Sequence, residues 1–489
     1  MKNQSKTILS LFVALVSGLS TSTFAQFIDT SDERVKTPLV VNLKRIGTLK
    51  PRPTTAIAGS RITVGCETLD RDHTNFNAYK AYLGPLGAKK IRLQAGWAKC
   101  EKVKGVYDWK WLDEVIDYAV ANKLEPWLET SYGNPAYEGG GGTGLLNSLM
   151  TTPEGYAAYD RWVTALVTRY KDRVREWEIW NEPDHPGQKI SPETTAELNI
   201  RTAEIIKRLQ PDAKIAALAL ATHTDTVYLS RALKVFADQK KLGLFTWVSY
   251  HSYAFRPEQS YKGVASFQRQ LNKYAPNLLL RQGENGAPST YIPNFALANY
   301  YWTEYSQAKY DTRRLLGDLG RDIETSVFSI IDIYYDWGKD AVLNKKGLIE
   351  SDTSKAAIRP KIAYYAVQNL TSIFDNQLEL VPGFRYSTTA RESVSVFGYQ
   401  QKAGKKQVVT VWFDGKTPTN KFQTTPVDLT IENGNFDNPV WVDLLTGHIY
   451  ELPKTSWSKT TRNGGTTYTF RTIPVYDSPV LIADKSTLR

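Results

Sequence analysis

The sequence predicts an α/β protein, a (β/α)8 TIM barrel followed by a C-terminal all-β sandwich. Two observations lead to this prediction. Between residues 60 and 376, apolar strand-like runs alternate with longer runs whose apolar residues recur at helical spacing. After residue 376, short strand-like runs such as "KQVVTVWFD" are separated by turns that contain Gly, Asn and Lys, as in antiparallel sandwiches.

The barrel prediction depends on a count of eight βα units. The strand-like runs are mostly apolar on both faces, as expected of buried parallel strands. An open, doubly wound sheet is the competing fold, but it needs a phosphate-binding glycine loop after its first strand, and "VGCETLD" is not one. The predicted strand segments are residues 61–67, 89–97, 124–135, 174–183, 214–221, 244–253, 277–286 and 325–337.

The N-terminus has the pattern of a signal peptide. Residues 1–25 combine a basic start, an apolar run too short to span a bilayer, and small residues before Gln26. We therefore expect cleavage after Ala25, a secreted or periplasmic protein, and no membrane insertion. Residues 26–59 are too few to fold alone, so we expect them either to add a strand to the sandwich of residues 377–489 or to cover the barrel floor.

The composition of the chain limits the kinds of molecule that it is expected to bind. The formal net charge is +11, but Lys and Arg are scattered, so nucleic acid is not an expected partner and an acidic polysaccharide stays open. The two cysteines, Cys66 and Cys100, follow neighbouring predicted strands; they either form a disulfide or are separate core residues. The five histidines show no metal-binding spacing, so a metal site such as a zinc site is not expected.

Two glutamates end predicted barrel strands. Glu182 ends the fourth strand in "WNEP", and Glu284 ends the seventh in "GEN". Catalytic side chains of such barrels lie at the C-terminal strand ends, so both carboxylates are expected at one mouth. A pair in which one carboxyl is protonated and the other ionised is suited to cleaving glycosidic bonds. Either motif alone is an ordinary turn; the two together favour catalysis.

Further side chains at the strand ends are candidates for support. Arg92 and Tyr253 are expected to keep Glu284 ionised and oriented, although Arg92 also suits a structural ion pair. Apolar packing is expected to raise the pKa of Glu182, the acid.

Other strand-end residues are candidates for substrate contact. Asn181 is placed to bond a sugar hydroxyl, and His251 is either a scaffold residue or a sugar contact. Trp97 and Trp337 offer flat apolar faces to a sugar ring, although Trp97 also suits a cap of the barrel. The loop after the first strand is either pocket lining or surface; it contains Asp70, Asp72 and His73.

The motifs "WNEP", "HSY" and "GEN" resemble those of clan A glycoside hydrolases. With "KGVYDWKWLDEVIDYA" and "EIWNEPD", the pattern is most similar to family 39, although family 5 and smaller clan A families share the motifs. The likeness covers residues 60–376 well. It implies that Glu182 is the general acid/base, Glu284 the nucleophile, and Asn181 and Tyr253 their helpers.

The resemblance implies a secreted, retaining glycoside hydrolase that cleaves equatorial (β-D or α-L) bonds of an oligosaccharide or polysaccharide, without a cofactor. Two alternatives stay open: a non-catalytic glycan-binding protein, and a transglycosylase that uses the same glutamate pair.

Overall fold

The computed structural model describes residues 28–146, 148–188, 190–462 and 465–488. The predicted signal peptide lies outside these residues. Eight parallel strands form a barrel, and antiparallel sheets follow it, which confirms the predicted fold class. Among the described helices, none has the length and apolar character needed to cross a bilayer.

The barrel strands follow a short N-terminal strand, β1 (Arg45–Thr48). Their hydrogen-bonded order is β8-β7-β6-β5-β4-β3-β2-β9, and a bridge between Arg281 and Glu324 joins the two ends of this sheet. The strands are β2 (Ile62–Gly65), β3 (Lys90–Gln94), β4 (Glu125–Glu129), β5 (Glu176–Glu178), β6 (Lys214–Leu220), β7 (Trp247–His251), β8 (Leu279–Glu284) and β9 (Thr325–Val327).

The helices pack around the strands and begin at capping signals visible in the sequence. Thr152 and Ser191 each accept a backbone N–H from the first turn, and proline follows each of them at the start of the helix. The helices are α1 (Phe76–Leu86), α2 (Trp97–Cys100), α3 (Lys110–Ala121), α4 (Pro153–Tyr170), α5 (Pro192–Leu209), α6 (Thr226–Asp238), α7 (Tyr261–Tyr274), α8 (Glu304–Leu319) and α9 (Ile362–Thr371).

The barrel interior is charged, so the expectation of apolar residues on both faces was wrong for the inner face. Lys90 and Arg281 both bind Glu176, with N–O distances of 2.8 and 2.7 Å. Arg281 also lies 3.5 Å from the ring centre of Trp247. Paired and hydrogen-bonded charges can replace apolar packing in a closed barrel, because each buried charge then has a compensating partner.

The eighth predicted strand, 325–337, is only partly a barrel strand. After β9 the chain leaves the barrel sheet and forms two antiparallel hairpins. Trp337 therefore lies on a loop rather than at a strand end. The hairpin strands are β10 (Ile333–Tyr335), β11 (Val342–Asn344), β12 (Ile349–Ser351) and β13 (Ala357–Pro360).

Two antiparallel sheets face each other in the sandwich. Their orders are β1-β20-β19-β23-β17-β16-β14 and β15-β18-β22-β21, so the N-terminal segment adds strand β1 to this domain. Buried side chains from both sheets, such as Trp441 and Phe470, form one core. The strands are β14 (Leu378–Leu380), β15 (Tyr386–Thr388), β16 (Val394–Gln401), β17 (Gln407–Phe413), β18 (Thr425–Glu432), β19 (Pro439–Asp443), β20 (His448–Glu451), β21 (Trp457–Arg462), β22 (Gly465–Val475) and β23 (Val480–Asp484).

The two cysteines are free and separately buried. Cys100 Sγ contacts the carbonyl oxygen of Ala95 at 3.3 Å. The sequence left open a disulfide or two separate core residues, and the structure has two separate core residues.

Candidate active site

A cavity of about 1340 Å³ opens at the C-terminal ends of the barrel strands. Loops after β2, β4, β5 and β8 and the β10–β11 hairpin contribute to its wall. Both candidate catalytic glutamates, Glu182 and Glu284, line it, and each side chain is mostly buried, with 14% and 16% exposed. The barrel thus brings the two carboxylates to the same mouth.

Glu182 lies four residues beyond β5, in strained backbone. Trp180 and Glu182 have φ angles of 66° and 48°, in the left-handed region that residues with a Cβ rarely adopt. Glu182 N donates to the Ala219 carbonyl oxygen at 2.8 Å, and Gln188 Nε2 donates to the carbonyl oxygens of Asn181 and Glu182. These bonds hold the conformation, and such strain is commonly kept at functional sites.

Glu284 is the last residue of β8 and is held by two donors. The Tyr253 hydroxyl donates to Oε1 at 2.7 Å, and Arg92 Nη1 donates to Oε2 at 3.2 Å. Arg92 and Tyr253 therefore lie where the sequence predicted, against the proposed nucleophile.

His251, the last residue of β7, lies between the two glutamates. Its Nδ1 is 2.8 Å from Oε1 of Glu182 and 3.7 Å from Oε2 of Glu284. The ligand atoms of these three residues all lie within 4.8 Å of one another. His251 is fully buried, forms a hydrogen bond with Glu182 and lies beside Glu284 at a distance longer than a hydrogen bond.

The charge state of this group differs from the expectation. Burial alone would lower the pKa of His251, but the charges of Glu284 and Glu182 raise it to about 9. Burial would raise the pKa of Glu182, but the hydrogen bond and charge of His251 lower it. The expected rise in the pKa of Glu182 was therefore wrong, because this carboxylate faces a histidine rather than apolar side chains.

Arg92 is buried at the centre of a group of acids. Its Nε donates to Glu178 at 2.7 Å, and Nη2 donates to Glu129 and, at 3.0 Å, to Asn181 Oδ1. Burial disfavours the guanidinium, but Glu178 and its neighbours raise the pKa of Arg92 overall. Burial raises the pKa of Glu129 to about 8 against the opposing charge of Arg92, and the charge of Glu178 adds to the rise. The ion pairs of Arg92 thus include contacts with Glu129 and Glu178 below the cavity and with Glu284 in its wall.

Two other candidates line the cavity. Asn181 is buried, and its Nδ2 donates to the Tyr132 hydroxyl at 2.8 Å. Trp337 is 52% exposed and stacks on Tyr335, with ring centres 4.8 Å apart. Its free face is therefore available to a ligand.

Trp97 is not a substrate contact, contrary to the sequence expectation. It is fully buried in α2, and Nε1 donates to Glu101 at 2.6 Å. Its ring stacks between Tyr137 and Trp162. The chain turns into α2 directly after Gly96, so this side chain packs under the helices instead of facing the cavity.

The cavity also contains residues that were not singled out from the sequence. Glu67 follows β2, and the rule that located Glu182 and Glu284 at strand ends also applies to it. Lys346 and Phe295 belong to long loops, and no local pattern indicates them. The polar loop after β2, including Asp70, Asp72 and His73, also lines the cavity.

Carboxylate and imidazole groups are also ligands for divalent metals, and Glu182, His251 and Glu284 form such a donor set. In this geometry Nδ1 of His251, the atom that would bind a metal, is already hydrogen-bonded to Glu182. The arrangement is therefore suited first to holding a proton.

Comparisons with known proteins find relatives of the barrel region and of the fold. Residues 91–312 match the model of glycosyl hydrolases family 39. A β-xylosidase of Geobacillus stearothermophilus is 22% identical over 191 residues, which covers 37% of this chain and 37% of that protein. The chain thus matches well under half the length of this relative.

Solved structures share the fold. A family 39 glycoside hydrolase from Bacteroides cellulosilyticus WH2 has a TM-score of 0.59 at 18% identity, covering 88% of this chain and 81% of that one. A monomeric β-xylosidase from Caulobacter crescentus CB15 has a TM-score of 0.54 at 17% identity, covering 87% and 97%.

The match of residues 91–312 makes the barrel region similar to proteins of the glycoside hydrolase class. Within that class, the barrel is similar to glycosyl hydrolases family 39, which confirms the resemblance seen in the sequence motifs.

Proposed function

We propose that the protein is a secreted, retaining glycoside hydrolase that cleaves equatorial glycosidic bonds, β-D or α-L, of an oligosaccharide or polysaccharide. One observation carries this proposal: ligand oxygens of Glu182 and Glu284 lie within 4.8 Å at the mouth of one cavity. Carboxyl groups about 5–5.5 Å apart allow direct attack by one of them, whereas inversion needs about 6.5–9.5 Å to admit a water.

In the first step, Glu284 attacks the anomeric carbon, the bond to the leaving oxygen breaks, and Glu182 gives that oxygen a proton. In the second, water attacks the same carbon, Glu182 takes a proton from the water, and the bond to Glu284 breaks. Tyr253 and Arg92 orient Glu284 for both steps.

The hydrogen-bonded pair of His251 and Glu182 supplies the proton that the leaving oxygen receives. The pair holds one proton at rest, passes it through Glu182 to the leaving oxygen, and regains it from the attacking water. When Glu284 becomes part of the glycosyl ester, the charge that chiefly favours protonated His251 is lost. The proton balance of the pair therefore follows the charge of the nucleophile.

The names of the relatives and the side chains of the cavity wall suggest which classes of substrate to test. The names of the β-xylosidases above make aryl β-D-xylosides the first substrates to test. Basic side chains in the cavity wall support the alternative of an acidic sugar, so glycosides of uronic acids come second. These basic residues are Arg71, Lys99, Lys102 and Lys346.

The test compares wild type with Glu182→Ala, Glu284→Ala and the exposed control Glu154→Ala. We expect both cavity variants to lose kcat/KM by about 10³-fold or more, with the control unchanged. Azide should restore turnover of Glu284→Ala and give the inverted glycosyl azide. Wild-type turnover that persists in both cavity variants would contradict the assignment.

The same assay separates the alternatives. A transglycosylase would give mainly glycosyl transfer products when an acceptor sugar is present, and a glycan-binding protein would bind substrate without turnover. Export is tested on the protein recovered outside the cytoplasm, whose N-terminus is expected at Gln26.

A further inference from the structure

Glu67 is a buried acid of the cavity that the proposed reaction does not use. It follows β2, and 3% of the residue is exposed. Its Oε1 accepts a hydrogen bond from Arg92 Nη1 at 3.1 Å. The same nitrogen donates to Oε2 of Glu284 at 3.2 Å. Glu67 and the nucleophile thus share one donor atom.

The chain makes room for this carboxylate. Oε2 of Glu67 is buried and, among the described residues, has no hydrogen-bond partner. A Cβ placed on Gly65 would lie 2.3 Å from that oxygen, so only glycine allows the side chain to fold back over the strand. A buried carboxylate oxygen without a partner is costly, and a strand core offers no reason to keep one.

The charge of Arg92 is divided among more acids than it can neutralise. Glu67, Glu129, Glu178 and Glu284 all bind this guanidinium. Burial raises the pKa of Glu67 to about 7, against the opposing effect of Arg92, and Glu284 adds to the rise. Glu67 is therefore a neutral acid in mildly acidic solution and a second anion beside Glu284 in alkaline solution.

We propose that Glu67 is a positioning residue for the nucleophile, which controls how fully Arg92 orients and neutralises Glu284. The inference rests on the proposed function. With a proton, Glu67 still accepts a hydrogen bond from Arg92 and anchors the guanidinium, but it carries no charge that draws Arg92 away from Glu284. Without the proton, Glu67 competes for the shared N–H and its charge opposes the return of Glu284 to a free carboxylate in the second step.

Other titratable and charged groups face Glu67, so the pH profile must be read by comparison with a variant. They are Cys66 and Tyr79 on the side of β2 and α1, Arg92, Tyr253 and Glu284 at the strand ends, and Tyr335 of the hairpin.

The test uses Glu67→Gln and Glu67→Ala with a substrate whose second step limits turnover. Gln keeps the acceptor and the shape but cannot ionise. We expect Glu67→Gln to stay within about threefold of wild-type kcat at pH 5.5 and to keep its kcat to higher pH than wild type does. Glu67→Ala is expected to lose kcat about 10–100-fold with little change in KM, since the loss of an anchoring hydrogen bond costs about this factor.

Gly65→Ala provides an independent change. The added methyl group displaces the carboxylate of Glu67, which remains able to ionise. Gly65→Ala should lower kcat in the wild-type background and add little in the Glu67→Ala background, as residues that act through one contact are not additive. Thermal melts of all variants check folding, and if Glu67→Ala does not fold, Glu67→Gln and Gly65→Ala carry the test.

The inference is overturned if the pH profile of Glu67→Gln superimposes on that of wild type, or if Gly65→Ala leaves kcat unchanged. In that case the Glu182→Ala and Glu284→Ala variants would still lack activity, and the proposed function would stand. If wild type itself has no activity on any glycoside, the proposed function fails and this inference fails with it.

Discussion

At the scale of single residues, the Tyr253 hydroxyl offers a direct test of how the nucleophile is held. Tyr253→Phe removes one hydrogen bond to Glu284 and nothing else from the side chain. A hydrogen bond to a charged group contributes about 1.5–3 kcal/mol, so we expect kcat/KM to fall about 10–100-fold. The measurement is steady-state kinetics on an activated glycoside.

Tyr250→Phe is the matched control, because Tyr250 lies on β7, the strand that leads to Tyr253, and its buried hydroxyl has no hydrogen-bond partner among the described residues. We expect this variant to keep the activity of wild type. Equal losses in the two variants would indicate a packing effect rather than the loss of the bond to Glu284.

His251 predicts a dependence of stability on pH. Its pKa rises from an ordinary value of 6.5 to about 9, so the folded state binds the proton more tightly than the unfolded state. The resulting stability is complete below about pH 6.5 and is lost as the pH rises through 9. We expect the free energy of unfolding of wild type, relative to His251→Asn, to fall by on the order of 3 kcal/mol over that window.

His223→Asn is the control of opposite sign. Burial lowers the pKa of His223 to about 4, so its effect on stability appears only as the pH falls below 6.5. Chemical denaturation at a series of pH values measures both variants. A difference between wild type and His251→Asn that does not vary between pH 6.5 and 9 would contradict the charge assignment.

At the scale of single residues, the sequence predicted which residues form the site better than it predicted their charge states. The placement of Glu182 and Glu284 follows from one rule about strand ends, and the structure brings both to one cavity. The charge of Glu182 could not be predicted, because it depends on the 2.8 Å contact with His251, 69 residues away. Trp97 was misjudged because a turn at Gly96 directs it under the helices.

At the scale of elements, the β10–β11 hairpin places one aromatic face in the cavity. Trp337→Ala removes that face, and because the residue is half exposed, we expect a rise in KM of about 3–10-fold with kcat within about twofold and an unchanged melting temperature. Kinetics with an oligosaccharide measure this effect.

Tyr301→Ala is the control for Trp337, because Tyr301 is 86% exposed and does not line the cavity. It should leave KM unchanged. A fall in kcat without a rise in KM for Trp337→Ala would mean that the hairpin acts on the catalytic residues rather than on substrate.

Element boundaries were least predictable where a barrel strand leads into a long loop. The run 325–337 is rich in Ile, Tyr and Phe, but only Thr325–Val327 pairs in the barrel. Residues 328–333 are buried outside the barrel sheet, and burial there produces the same composition as burial in a barrel strand. The sequence patterns of α4 and α5, with capping residues and periodic apolar positions, left no such ambiguity.

At the scale of the whole molecule, the barrel and the sandwich are joined by a buried charge. Lys309 of α8 is fully buried, and its Nζ binds Asp477 of the sandwich at 2.6 Å. Removing one partner of such a pair leaves an uncompensated charge, so Asp477→Ala should lower the free energy of unfolding by about 3 kcal/mol. Thermal and chemical denaturation measure it.

The exposed pair of Lys234 and Asp238 on α6 is the control, and Asp238→Ala should leave stability unchanged. If Asp477→Ala melts like wild type, the contact between the two domains contributes little to stability. If it unfolds in two separate transitions, the domains are less tightly coupled than this geometry indicates.

The sequence by itself determined the kinds of element, their order and the ends at which catalytic groups lie, because these depend on local periodicity and on a rule common to parallel barrels. Tertiary structure alone decided which charges the acids carry, which aromatic residues reach the cavity and where the last strand ends. Those features depend on distances between side chains far apart in the chain, such as the Arg92 nitrogen shared by Glu67 and Glu284. Because charges interact more strongly in a buried site, each of those distances strongly affects the ionisation of the side chains. No local sequence pattern encodes such distances.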